Sequence, residues 1–256
     1  MEPKFVTGHP AVLLGRTLVI ADIHIGAEFT FFKSGIKIPS NTKEILAEIQ
    51  NLARSTRAKK LIIIGDAKHK VPGVTWQELR EIPDFLDSLA REIKVEVVKG
   101  NHDAGIEELV PENVKLHGSQ GFASEGCYLL HGHTWPKPEF MESRYVFVGH
   151  EHPQIEFRDA LGYRFSMPVW LRAELDRKKL EKKYKYVPSV LPELIIMPAF
   201  NKLSGGIRMN STISEIGRQH TGERGGIGTL VRSAKLKTSK VYMIDGTFLG
   251  RLGDLF

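Results

Sequence analysis

Five segments of the chain share one pattern: an apolar, β-branched run followed directly by a polar cluster at its carboxyl end. Leu18-Val19-Ile20-Ala21 leads into Asp22-Ile23-His24, and Leu61-Ile62-Ile63-Ile64 into Gly65-Asp66. Val95–Lys99 leads into Gly100-Asn101-His102-Asp103, Tyr128-Leu129-Leu130 into His131-Gly132-His133, and Tyr145–Val148 into Gly149-His150-Glu151-His152. Short runs rich in Val and Ile read as buried strands. Between the early ones lie stretches of helical period. Asn41–Ala53 starts with a capping candidate and sets Ile45, Leu46, Ile49 and Leu52 on one face. Thr75–Ala90 does the same with Leu79, Ile82, Leu86 and Leu89, and Pro83 is expected to bend or shorten it. Strands alternating with helices predict βαβ units and a largely parallel sheet, whose sites collect beyond the strands' carboxyl ends. All five polar clusters fall there.

Beyond His152 the pattern changes. Gln154–Phe157 and Gly162–Phe165 read as a strand pair around a turn. Leu171–Tyr186 reads as a basic helix carrying Arg172, Arg177, Lys178, Lys179, Lys182, Lys183 and Lys185. Leu194–Met197 is a further buried strand, leading into Pro198-Ala199-Phe200-Asn201. Lys202–Lys240, rich in Gly, Ser, Thr and Arg, reads as long, partly mobile loops with short strands. The last strands, Lys240–Ile244 and Thr247–Arg251, are joined by Asp245-Gly246, a good hairpin turn. A single domain over residues 1–256 is expected, with residues 202–256 as a small, loop-rich extension.

Composition changes this picture little. A chain of 256 residues, 41% hydrophobic and 26% charged, can bury a sizeable core. A formal charge of +6 suits a polyanionic partner, since cationic surface attracts phosphate backbones. The single cysteine, Cys127, excludes an internal disulfide framework, suits a reducing interior and reads as a small core residue. Met1–Pro10 lacks the layout of a signal peptide, and the apolar runs are too short to cross a bilayer. A cytoplasmic protein with no membrane partner is the expectation.

The polar clusters carry the chemistry. Asp22, His24, Asp66, Asn101, His131, His150 and His152 supply carboxylate, amide and imidazole donors. Mixed oxygen and nitrogen sets suit Mn, Zn or Fe, and the lack of thiolates argues against a structural zinc site. Seven donors exceed the need of one ion and suit two. Two ions about 3.5–4 Å apart share a carboxylate and a water, which becomes hydroxide near neutral pH. Both then neutralise phosphate charge during in-line attack. Taken singly the clusters mean little: Asp-x-His is common by chance, and Gly-Asp or Gly-Asn-His-Asp can mark turns. In order, each closing a strand, they point to a two-metal phosphoesterase.

As a set, Asp22-Ile23-His24, Gly65-Asp66, Gly100-Asn101-His102-Asp103, His131 and Gly149-His150-Glu151-His152 resemble the signature of the calcineurin-like metallophosphoesterases. That resemblance implies an α/β, four-layer α-β-β-α sandwich, two sheets flanked by helices, with a dimetal site on one rim. Position by position it implies that Asp22, His24, Asp66 and His152 hold one ion, and Asp66, Asn101, His131 and His150 the other. His102 would be the catalytic histidine, oriented by Asp103. Of His131 and His133, either of which suits the fourth-motif ligand, His131 directly follows the strand and His133 would lie near substrate or behind the ligands. The cofactors implied are two divalent ions, with Mn first and Fe, Zn and Ni as alternatives. A homodimer is common in this fold. One departure stands out: many members carry a further Asp after Gly-Asp, where this chain has Ala67-Lys68-His69-Lys70. That makes the pocket mouth more cationic and puts Lys68 or His69 within reach of phosphate.

More narrowly, Gly-Asp-x-Lys-His, His-Gly-His-x-Trp-Pro, Gly-His-Glu-His-Pro and the late Pro-Ala-Phe-Asn with Ser204-Gly205-Gly206 resemble archaeal ICC-like phosphoesterases. They are also similar to bacterial DNA-ligase-associated phosphoesterases. The basic helix and cationic second motif favour DNA or RNA as the phosphate-ester substrate. A small phosphodiester or phosphomonoester is the alternative, with Trp135 and Phe200 as stacking candidates that core packing explains better. A non-catalytic scaffold is disfavoured, because every ligand position and His102 are present.

Overall fold

The computed structural model describes residues 2–211 and 227–256. The part of the long-loop reading that falls on residues 212–226 lies outside the described residues. A first sheet runs in the order β1 (Lys4–Phe5), β2 (Ala11–Leu14), β3 (Thr17–Ile20), β4 (Lys60–Ile64), β5 (Lys94–Val98) and β6 (Lys115–His117). From β3 to β6 it is parallel, as the alternation with helices predicts. Helices α1 (Glu28–Lys33) and α2 (Thr42–Ser55) connect β3 to β4, and α3 (Trp76–Ala90) connects β4 to β5. A second sheet contains β7 (Phe122–Ser124), β8 (Cys127–Leu130), β9 (Tyr145–Val148), β10 (Pro153–Arg158), β11 (Arg164–Glu174), β12 (Glu193–Ile196) and β13 (Ile207–Arg208), in the order β13-β10-β11-β12-β9-β8-β7. The hairpin of β14 (Lys240–Met243) and β15 (Phe248–Arg251) pairs with β11.

The unbroken apolar runs have a physical cause: each central strand feeds two cores, because successive side chains point to opposite faces. On β4, Leu61 and Ile63 pack with Ile49 and Leu52 of α2 and Phe85 and Leu86 of α3, while Ile62 and Ile64 face the other sheet. On β9, Tyr145 and Phe147 meet Ile62 and Ile64 between the sheets. Val146 and Val148 face outward against Leu180, Tyr184 and Leu230, from α4 (Arg177–Leu180), the turn after it and α5 (Thr229–Arg232). The layers are therefore helices, sheet, sheet and a thin outer cover, an α/β sandwich. Cys127 is buried in the middle core, as its neighbours predict.

Two elements differ from the sequence reading. Helix α3 is not shortened by Pro83 but runs to Ala90. It starts from a capping box in which Thr75 and Glu78 satisfy each other's backbone. One lost backbone bond is outweighed by Ile82, Phe85, Leu86 and Leu89, all buried on one face; Leu79 is exposed, and Phe85 takes the inward place. Nor is Leu171–Tyr186 a basic helix. β11 continues to Glu174 because it pairs on both sides, Leu171 opposite Ile196 and Val241, and the helix that follows spans only Arg177–Leu180. The four-residue spacing of Leu171 and Leu175 mimics a helical face, yet the first is a strand residue. The cations do not form one stripe either. Arg172 pairs with Glu193, Arg177 with Glu181, and Lys179 Nζ donates to the carbonyls of Arg232 and Ala234.

Among the described residues no helix is long and apolar enough to cross a membrane.

Candidate metal centre

The polar clusters directly follow the carboxyl ends of β3, β4, β5, β8 and β9, and their donors converge there. Asp22, His24, Asp66, His150 and His152 all have positive φ, between 39° and 73°. Elsewhere among the described non-glycine residues only Arg57 and Glu125 do. Left-handed backbone costs a side-chain-bearing residue on the order of 1 kcal/mol and persists where surrounding structure over-determines it. Here it turns the chain sharply at the strand end and carries the ligands back over the sheet rim. The motif glycines make room for them. A Cβ at Gly65 would lie 2.2 Å from the His131 ring, and one at Gly100 would lie 2.0 Å from Asp66 Oδ1.

Six of the seven expected ligands come together in two groups. Asp22, His24 and His152 form one group of donor atoms, and Asp66, His131 and His150 another, each within 4.8 Å. Asp66 Oδ2 faces both groups, 3.6 Å from His24 Nε2 and 3.4 Å from His131 Nε2. Asp22 Oδ1 lies 3.0 Å from His131 Nε2 and 3.3 Å from His152 Nε2. Two buried polar atoms, Asn101 Oδ1 and His150 Nε2, have no hydrogen-bond partner among the described residues. An amide oxygen and an unprotonated imidazole nitrogen are both acceptors that a cation can satisfy, so the donor set fits two divalent ions. Of the fourth-motif pair, His131 is fully buried between the carboxylates. His133 stands half-buried behind it, Nδ1 to Nδ1 at 2.8 Å.

Electrostatics favour ion capture. Burial alone would raise Asp22 and Asp66, but the adjacent histidines, His152 foremost for Asp22 and His131 for Asp66, hold both below the usual carboxylate range. Burial pushes His24 and His150 down to about 3, so each keeps a free lone pair at neutral pH. Burial acts the same way on His131 and His152, yet their carboxylate neighbours overcome it and raise both. A divalent ion held here would compete with protons for these two imidazoles.

Two predicted roles change. Asp103, expected to orient His102, instead accepts from Gly100 N at 2.7 Å and Lys68 N at 3.2 Å, tying the third loop to the second. Burial, then the charge of Asp66, pushes it up to about 6. The partner of His102 Nδ1 is the carbonyl of His69 at 2.5 Å. Lys68, expected at the pocket mouth, is buried, and its ammonium donates to the carbonyls of Lys70 and Gly73. A cation buried under a loop finds backbone carbonyls in place of water, and so braces the loop. His69 does line the rim, with Nδ1 3.4 Å from His24 Nδ1 and Nε2 2.8 Å from Thr30 Oγ1.

One residue escaped functional assignment from sequence. Asn201 is buried, donates from Nδ2 to the carbonyls of Ile23 at 2.9 Å and His24 at 3.2 Å, and from its backbone N to Asp22 O at 3.3 Å. Its Oδ1 accepts from Leu203 N and Asn41 Nδ2. It thus holds the strained first-motif turn from outside. The signal was present, since Pro198-Ala199-Phe200-Asn201 also closes a buried strand. Asn201→Asp puts an acceptor against two carbonyls. The expected result is Mn affinity weakened about tenfold or more, as for lost outer support of ligands, read by titration calorimetry.

Residues 15–182 match the calcineurin-like phosphoesterase family. Among solved structures the chain is similar to the nuclease MPE of Pseudomonas putida, with a TM-score of 0.57 and 20% identity over 95% of this chain and 96% of that one. It is also similar to Yfce, a phosphoesterase from E. coli, with a TM-score of 0.35 and 17% identity over 56% of this chain and 74% of that one. No curated protein sequence matches it. The likeness to the first structure is one of fold.

Proposed function

Since the chain belongs to the calcineurin-like phosphoesterase family, we propose that it is a two-metal phosphodiesterase acting on nucleic acid, in the branch of ICC-like and DNA-ligase-associated phosphoesterases. The observation that carries the reading is the Asp66 carboxylate facing two histidine groups, together with two buried acceptors, Asn101 Oδ1 and His150 Nε2, that have no partner among the described residues. Asp22, His24, Asp66 and His152 hold one ion; Asp66, Asn101, His131 and His150 hold the other. Mn is the first choice, ahead of Fe, Zn and Ni. When bound, such ions activate water and neutralise phosphate oxygens. The chain's own contribution to proton transfer is His102. Its Nδ1 lies 2.5 Å from the His69 carbonyl, which orients the ring, and the proton for a leaving oxygen would pass from Nε2. Asp66 Oδ2 lies 3.9 Å from that nitrogen.

With the basic helix gone, nucleic acid as substrate rests on a different surface. Helix α1 presents Phe29 and Phe32, with Lys33 Nζ 5.0 Å and Lys70 Nζ 5.6 Å from the Phe29 ring centre. Phe32 is 62% exposed, and the His69–Thr30 contact ties this helix to the metal rim. An aromatic platform flanked by cations suits a single strand, bases stacked and phosphates paired. The fold shared with a nuclease is consistent with it.

The test is hydrolysis of bis-p-nitrophenyl phosphate, p-nitrophenyl phosphate and a labelled single-stranded oligonucleotide with added Mn. Diester and oligonucleotide cleavage are expected. Phe32→Ala is expected to weaken oligonucleotide cleavage about tenfold, the worth of a lost stacking contact, while leaving the small diester untouched. Cleavage of the monoester alone would make it a phosphatase and end the nucleic-acid reading.

A further inference from the structure

Two histidines beside the motif ligands, the His that follows Gly-Asp-x-Lys and the second His of His-Gly-His, occupy equivalent places in space. Each sits behind a ligand histidine with nitrogen facing nitrogen: His133 Nδ1 is 2.8 Å from His131 Nδ1, and His69 Nδ1 is 3.4 Å from His24 Nδ1. The ligand rings turn their Nε2 atoms to the carboxylates, 3.0 Å from Asp22 for His131 and 3.6 Å from Asp66 for His24. A neutral imidazole that gives the Nε2 lone pair to a cation carries its proton on Nδ1. The nitrogen facing that proton must then be a lone pair. We propose that His69 and His133 are positioning residues, each a neutral Nε2–H tautomer accepting the Nδ1–H of a metal-holding histidine.

The inference rests on the two-metal reading, and a separate contact agrees with it. The tautomer assigned to His69 leaves a proton on Nε2, and Thr30 Oγ1 stands 2.8 Å from that atom as an acceptor. The group behind a metal-bound histidine is ordinarily a carboxylate, a carbonyl or water. A neutral imidazole in that place fixes the ring while pushing less charge onto it, which leaves the ions more electrophilic toward phosphate. Because both histidines also lie at the rim, the rival role is direct contact with substrate.

Mn binding by titration calorimetry separates the two. His133→Ala and His69→Ala are each expected to weaken binding of one ion about 10- to 100-fold, as loss of such a partner does. His133→Asn and His69→Asn, whose Oδ1 replaces the accepting nitrogen, are expected to recover most of it. In the Co-substituted protein, the slowly exchanging Nδ1–H resonance of His131 is expected to vanish in His133→Ala and return in His133→Asn. Should an alanine variant fail to fold, His133→Leu and His69→Leu carry the same expectation. Unchanged affinity and resonance with a raised KM would overturn the proposal and make these residues substrate contacts. A wild-type chain that binds no Mn or Co would instead remove the two-metal reading, and the inference with it.

Discussion

Asp66→Ala is expected to lower phosphodiester hydrolysis by about 10³-fold or more and to reduce bound metal from two ions to one or none. One oxygen of this carboxylate, Oδ2, faces histidines of both donor groups, while the other, Oδ1, accepts from His102 N at 2.8 Å. The substitution therefore removes the proposed shared ligand and loosens the loop that carries Asn101 and His102. Metal stabilisation of transition-state charge is worth several kcal/mol, and each 1.4 kcal/mol is tenfold in rate, which sets the magnitude. Asp66→Asn separates the effects: its amide oxygen still serves His102 N, so the fold and loop persist while the bridging charge is lost. Metal content by elemental analysis, with bis-p-nitrophenyl phosphate turnover, reads both. Retention of two tightly held ions and full activity in either variant would show that Asp66 bridges nothing.

His102→Gln is expected to behave oppositely on the metal axis. Two ions stay bound, because the His102 backbone N–H to Asp66 survives and the ring is not among the proposed ligands. Turnover falls by roughly 10²- to 10⁴-fold, the usual worth of a positioned proton donor. The loss should depend on the leaving group. p-Nitrophenolate leaves without much protonation, so the defect is modest with the nitrophenyl diester and large with an oligonucleotide, whose leaving group is an alkoxide. A defect equal for both substrates would argue that His102 stabilises charge on phosphate without moving a proton.

How much of this was legible beforehand follows from which interactions are local. Strands buried on both faces write themselves as unbroken apolar runs, and β4 and β9 emerge within a residue of the segments Leu61–Ile64 and Tyr145–Val148. The donor types were legible for the same reason: in such sheets the residue that closes a buried strand is already at the rim. Leu171–Tyr186 was misread because Leu171, Leu175 and Leu180 repeat at nearly helical spacing. Pairing of Leu171 with both β12 and β14 overrides that local pattern.

By itself, then, the sequence determined where the strands end, which donors stand there, and that they suit two ions rather than one. Only the tertiary structure decided the supporting cast. The carbonyl of His69 rather than Asp103 takes His102 Nδ1, Lys68 braces a loop rather than meeting phosphate, and His133 backs His131. Asn201 reaches Ile23 across 178 positions of chain. A ligand's identity follows from its own strand, one buried run and the residue that ends it. A partner behind a ligand is chosen by which loops the packed sheets bring within about 3 Å, the reach of a hydrogen bond, and no local pattern encodes that distance.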